Sequence, residues 1–303
     1  MAVFNGLFEG LIPGLGNGTD IGTYKGAFKG LHDCNPYVFQ IETMVWRNQL
    51  SNPKPSTTYL QRIDTLIRNL KEAGIWSQLD RFWVFATEQQ SHAKISLVNP
   101  NGINAPWPSG IIENNSPTWT RLKGYTGNGT NMYLNTQYIA KNSGLVSSGN
   151  ISYMVYCVSN NTETAGSNVE FGNINKQVVP AAGTNGTLYD GTNSEMRVNC
   201  GSTITSPSSG ARGTWAMMTG PTNLHITVYK NGIGTTSSII QPGDSSGGTD
   251  NQSMYVLAAN NLTGNTASEF STQQLSMFGA GTAKINQTVF YNLFNKFVLQ
   301  NQL

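Results

Sequence analysis

Residues 56–100, STTYLQRIDTLIRNLKEAGIWSQLDRFWVFATEQQSHAKISLVNP, change their hydrophobic period partway along, and that change constrains how the rest of the chain can fold. Thr57 and Thr58 come after the Pro53-Lys54-Pro55 break and are placed to cap a helix. Leu60, Ile63, Ile67 and Leu70 then recur at helical spacing, with Leu66 and Ala73 beside them, and Gly74 is placed to end the helix. Arg62, Asp64, Arg68, Asn69, Lys71 and Glu72 fall on the other faces. Phe82-Trp83-Val84-Phe85-Ala86 is a short apolar run of strand type. The residues before this stretch read as an arm, and those after it read as a β domain.

The β reading rests on short apolar runs separated by Gly- and Asn-rich turns. Strands are expected at residues 82–86, 93–98, 133–135, 151–158, 167–171, 186–189, 196–198, 214–218, 224–230, 254–259 and 274–278. Asn231-Gly232 directly after a strand predicts a hairpin. Many short strands favour a sandwich or jelly roll over an α/β fold. The chain then turns helical over 286–300, where Val289, Phe290, Leu293, Phe294, Phe297 and Val298 mark one apolar face.

Composition narrows the partners. Charged residues make up 11% of the 303 and aromatics 10%, so the surface is amide- and hydroxyl-rich while enough aromatics remain to build a core. A net charge of +2 gives no steering toward nucleic acid or a membrane surface. No segment approaches the length of a membrane-spanning helix, and MAVFNGLFEGLIPGLG lacks the basic start of a signal peptide, so neither membrane insertion nor secretion is expected. Cys34, Cys157 and Cys200 are odd in number and far apart. That spacing argues against a disulfide framework and a zinc site, and suits a reducing cytoplasm.

Residues 4–31 interleave apolar side chains with Gly, and Phe8-Glu9-Gly10-Leu11 returns as Phe28-Lys29-Gly30-Leu31. Such a segment has too much backbone freedom to fold alone, and reads either as a flexible tail or as an arm that orders on a partner. Residues 34–50 are denser, and Val38, Phe39, Ile41, Val45 and Trp46 are expected to pair as strands or to pack on a neighbour.

Two sets of motifs carry a resemblance. GYTGNGT at 124–130 with MYLNT at 132–136, the strand 151–158, LHITVYKNG at 224–232, and SMFG at 276–279 with the terminal helix resemble successive parts of concanavalin A-like (laminin-G-like) jelly rolls. The pattern IDxLIxxLKxAGIWxxLDxFWVFA, running on to LVNP and then SPTWTxxxGYTGNGTxxYLNT, resembles a segment recurrent in virion proteins of tailed bacteriophages and related viruses. The likeness covers about residues 56–300 and omits the arm. It implies a mainly β chain: an anchoring arm (1–55), a linking helix (56–80), and a jelly-roll sandwich with a C-terminal helix (81–303). It further implies a non-enzymatic fibre or decoration protein of a virion, on head or tail, assembled in the host bacterial cytoplasm and displaying the jelly roll for host attachment. Its partners would be capsid or tail proteins, further copies of itself as a trimer or dimer, and a host surface glycan. Phe4, Phe8, Phe28 and Trp46 of the arm, with Phe290, Phe294 and Phe297 of the last helix, are the side chains expected to make the assembly contacts. A carbohydrate-binding adhesin and a polysaccharide depolymerase are the alternative readings; jelly rolls serve all three.

The resemblance and the residues themselves each mark site candidates. Jelly rolls of the laminin-G type often bind calcium, and Asp190, Asp244 and Asp250 lie in turn-rich loops from which they would ligate it, with solvated turn residues as the competing explanation. No other cofactor is expected. Trp107, Trp119, Tyr125 and Tyr138 would stack on a glycan, or else anchor the core. Gly243-Asp244-Ser245-Ser246-Gly247-Gly248 has one Ser too many for a trypsin-like nucleophile loop, and none of the three histidines has a matching context. No carboxylate pair is marked out for sugar hydrolysis.

Overall fold

In the computed structural model the described residues are 37–100, 110–146, 150–159, 168–174, 182–189, 194–200, 203–206, 213–219, 226–237, 252–261 and 266–302. The chain divides after Val38 into two units, and the elements below belong to the second, residues 39–303. Among the described residues the α-helices are α1 (Ile41–Gln49), α2 (Thr57–Glu72), the single turn α3 (Gln90–Ala93) and α4 (Gln287–Gln302).

α2 is built as its sequence expects, with the cap one residue earlier. The Ser56 hydroxyl accepts the Tyr59 N–H at 3.2 Å, and Glu88 in turn accepts from the Ser56 N–H and hydroxyl at 2.6 and 2.9 Å. Gly74 takes φ +68°, and the Ile75 and Gly74 N–H groups return to the Leu70 and Lys71 carbonyls at 2.9 and 3.0 Å, a Schellman closure. Tyr59, Leu60, Ile63, Leu66, Ile67 and Leu70 are buried along one face.

The strands form two sheets. Ile233–Ser237, Ile226–Lys230, Gly213–Thr219, Ser152–Cys157, Gln274–Gly281, Gly124–Thr126 and Thr118–Thr120 lie side by side in the first, and Leu79–Val84 also pairs with Gln274–Gly281. The second runs Thr203–Ser206, Ser194–Cys200, Ala182–Tyr189, Asn168–Ile174, Tyr255–Val256, Tyr133–Asn135 and Ile112–Asn114, with Ala259–Asn261 and Thr266–Ser268 attached. Neighbours in the first sheet are antiparallel, as a jelly-roll sandwich requires. Asn231 and Gly232 take φ +51° and +77° in the turn between their two strands, the primed geometry that Asn-Gly favours.

The first sheet is the middle of three layers. In Ser152–Cys157 all six residues are buried. Tyr153, Val155 and Cys157 belong to the core between the sheets, whereas Met154 and Tyr156 belong to the core beneath the helices. A strand covered on both faces reads as a continuous apolar run, and this one does. α4 closes the helical side: Phe82 meets Phe290 and Phe294 with ring centroids 5.7 and 5.9 Å apart, Tyr156 meets Phe294 at 5.4 Å, and Tyr59 meets Phe297 at 6.3 Å. The Tyr156 hydroxyl donates to Asn295 Oδ1 at 2.6 Å.

Several expectations change. Phe290, Phe294 and Phe297 are buried within their own chain, and so is Trp46. Each buried aromatic contributes about 1.5–3 kcal/mol inside this unit, so these side chains supply no surface for a trimer or dimer. Phe4, Phe8 and Phe28 lie outside the described residues. The strands expected within 34–50 give way to α1, because a distant carboxylate caps it: Thr43 Oγ1 donates to Asp64 Oδ1 at 2.7 Å, and the Gln40 N–H donates to the same oxygen. Asp64 is therefore buried and not on an outer face. The arm ends near Val38 and not at residue 55.

Residues 93–98 form no strand. α3 ends at Ala93, Ile95 makes one isolated bridge to Gly110, and the Ser96 side chain replaces a ladder by accepting the Phe82 N–H at 3.1 Å and donating to the Val98 carbonyl at 2.7 Å. The run 254–259 splits at Leu257, which takes φ +67° and sends its N–H to the Glu170 carbonyl at 2.7 Å.

Candidate ligand-binding face

The aromatics expected to stack on a sugar are core residues. Tyr125 and Tyr138 are buried between the sheets, and Trp119 packs partly buried against the same core with its indole N–H donating to the Phe85 carbonyl at 3.1 Å. Trp107 lies outside the described residues. The Tyr125 hydroxyl donates to Glu113 Oε1, Gln90 Nε2 donates to the same oxygen at 3.0 Å, and Lys94 Nζ pairs with Oε2 at 3.2 Å. Burial first, then the hydrogen bond to Glu113, pushes the Tyr125 phenol far above its ordinary range. Both carboxylate oxygens are engaged, and the cluster pins α3 to the strand Ile112–Asn114.

A second aromatic group stands outside both cores. Leu134 and Val256 are partners in register and point into the sandwich, so their neighbours Tyr133, Asn135 and Tyr255 stand on the opposite face of the second sheet. The Tyr133 and Tyr255 ring centroids are 4.7 Å apart at 31°, and Phe270 lies 6.2 Å from Tyr133 at 50°. Tyr133 and Phe270 are half-buried, and Tyr255 is buried beneath them. Burial first, then Tyr133, pushes the Tyr255 phenol up to about 12, so that ring is neutral over the physiological range. Asn114 pairs in register with Tyr133, and Ile112, which is 48% exposed, pairs with Asn135. Half-covered rings bordered by amides suit a neutral ligand with one apolar face, such as a pyranose. The signal was present in the sequence as period-two alternation, Tyr133-Leu134-Asn135 and Tyr255-Val256; the pairing of these two runs was not.

Asp190, Asp244, Asp250 and the Gly/Ser loop at 243–248 lie outside the described residues. Among the described residues no three His, Cys, Asp or Glu side chains come together as a metal site, and no helix is long and apolar enough to cross a membrane. Cys157 is buried, as its apolar setting suggests, and is in no disulfide.

No known protein family and no curated protein matches the chain in sequence. Among solved structures it is similar to Trypanosoma rangeli sialidase in complex with sialic acid, with a TM-score of 0.48 and 11% identity over 80% of this chain and 39% of that one. The binding domain of botulinum neurotoxin serotype D is similar with a TM-score of 0.43 and 8% identity over 74% of this chain and 52% of that one. A sialidase from Streptococcus pneumoniae gives a TM-score of 0.33 and 10% identity over 45% of this chain and 22% of that one. The chain thus spans less than half the length of the sialidases. With enzymes among its structural neighbours, the expectation of a non-enzymatic protein does not stand. At such identities no residue role passes from them to this chain, and what the residues here form is the mainly β jelly-roll sandwich with its C-terminal helix.

Proposed function

We propose that this chain is a structural protein of a bacterial virus particle, of fibre or decoration type, that holds its jelly roll outward for attachment to the host. The observation that carries the reading is the contiguity of the segments that resemble virion proteins. α2 packs on Phe82 and Val84 of the strand Leu79–Val84. That strand pairs with Gln274–Gly281, which also pairs with Gly124–Thr126 of the GYTGNGT motif. Segments far apart in the sequence therefore meet along one strand and form one block, which suits a module retained whole. The separate unit that ends at Val38 supplies the arm for anchoring to capsid or tail. Mass spectrometry of purified particles, with gold labelling by an antibody to residues 39–303, tests this. Labelled particle surfaces are the expected result, and particles lacking the protein would overturn it.

Glycan recognition is the second reading, and the half-covered Tyr133–Tyr255–Phe270 group favours it. On a glycan array the protein is expected to retain a neutral oligosaccharide. Tyr133→Ala is expected to weaken that binding about tenfold, the worth of one lost ring contact. Turnover of the captured polysaccharide, measured on the same samples, separates binding from cleavage. An array with no retained glycan would remove this reading and leave the first intact.

A further inference from the structure

The link between α1 and α2 meets the body at a buried imidazole. His92, on α3, is fully buried. Its Nε2 lies 3.2 Å from the Ser51 carbonyl oxygen in that link, so the neutral ring donates there. Nδ1 has no hydrogen-bond partner. The Trp46 ring of α1 stands edge-on to it, centroids 6.5 Å apart at 77°, and Trp46 donates its indole N–H to the Ile95 carbonyl at 3.2 Å. Ser51 and Ser91 hydroxyls bond at 2.7 Å beside it.

The charged and polar groups facing the ring come from two segments. The Ser51 and Pro53 carbonyls and the Lys54 ammonium belong to the α1–α2 link, and Glu88 belongs to the loop after the strand Leu79–Val84. The carbonyls and Glu88 favour a proton on the ring, and Lys54 opposes one. Burial outweighs them and holds the imidazole below its ordinary range. A second proton would have to sit on Nδ1, the atom without a partner, in a place closed to water.

We propose that His92 makes the α1 clasp acid-labile: protonation of the buried ring frees residues 41–55, and with them the junction to the N-terminal unit, while the sandwich stays folded. The sign comes from linkage. The folded state holds the neutral ring, so the clasp is at full strength above the ordinary imidazole pKa. It weakens as pH falls through the lower folded value.

Hydrogen–deuterium exchange of the full chain, corrected for intrinsic rates, tests this at about pH 7.5 and about pH 5, the range in which His titrates before the carboxylates do. Protection of residues 41–55 is expected to fall about tenfold on acidification in the native chain, and to change less than about twofold in His92→Gln, whose amide still donates to Ser51 but does not titrate. The same loss in His92→Gln would overturn the proposal, as would loss of protection across both sheets at once. Should His92→Gln fail to fold, the native chain with ring-labelled histidine decides. A His92 midpoint that coincides with the loss of α1 protection supports the clasp, and titration with α1 still protected rejects it.

Discussion

Single residues hold this fold where backbones come too close for a side chain. The glycines of the GYTGNGT motif carried a family likeness in the sequence, and the structure gives their physical reason. A Cβ at Gly124, whose φ is +107°, would stand 2.0 Å from the Leu275 carbonyl oxygen, and one at Gly127 would stand 2.0 Å from the Ser271 carbonyl oxygen. Gly74 also has a positive φ, +68°, but a Cβ there meets nothing within 4 Å. The two positions therefore separate strain from collision. Gly74→Ala is expected to cost about 1 kcal/mol, the penalty for a left-handed alanine. Gly124→Ala is expected to cost about 3 kcal/mol or more, because the strand Gln274–Gly281 must shift as well. Urea denaturation of the two variants measures both, and equal costs would mean that the sheet yields easily there.

Among the elements, those whose apolar residues meet the core along one unbroken face were readable, and those held by a distant partner were not. The stripe Leu60, Ile63, Ile67, Leu70 placed α2, and Phe290, Phe294, Phe297, Val298 placed α4, because burial on one side leaves a helical period in the sequence. α1 left no such trace. Its buried positions are only Thr43 and Trp46, and its N-terminal cap comes from Asp64 on another helix. The short strands Ile112–Asn114 and Thr118–Thr120 were missed for a similar reason, since a three-residue strand shows too little alternation to register. The candidate face was half-legible: each tyrosine sat in an alternating run, while their meeting depends on strand order. The packing of α2 against the sandwich leads to a direct test. Ile67 is fully buried in the core that α2 shares with Phe82, Met154 and Met277. Ile67→Asp is expected to destabilise the sandwich itself by several kcal/mol, since a buried carboxylate there has no partner. Thermal melts followed by the near-ultraviolet signal of the sheet aromatics report it. An unchanged melting temperature would show that α2 does not support the sandwich.

At the scale of the whole molecule, the question is where the arm stops and the body starts. The sequence puts the border at residue 55, after the Gly-rich segment and the Pro53-Lys54-Pro55 break; the structure puts it after Val38. The seventeen residues between are well tied to the body. Trp46 and Leu50 are buried in the helical core. Lys54 Nζ donates to the Arg47 carbonyl at 3.1 Å and also to that of Leu50, closing the C-terminal end of α1. Asp64 accepts from Gln40 and Thr43 on one side and from Arg68 at 3.0 Å on the other. Cutting at residue 55 removes the tryptophan and leaves a buried carboxylate with two donors fewer. The first change costs about 3 kcal/mol of burial, and the second about 1–3 kcal/mol for the lost hydrogen bonds. Residues 39–303 are therefore expected to melt cooperatively at the temperature of the full chain, and residues 56–303 to melt well below it or to aggregate. Calorimetry on the three proteins compares them directly. Equal melting temperatures for the two shortened chains would return α1 to the arm, and a 39–303 chain that fails to fold would show that the first unit is part of the body.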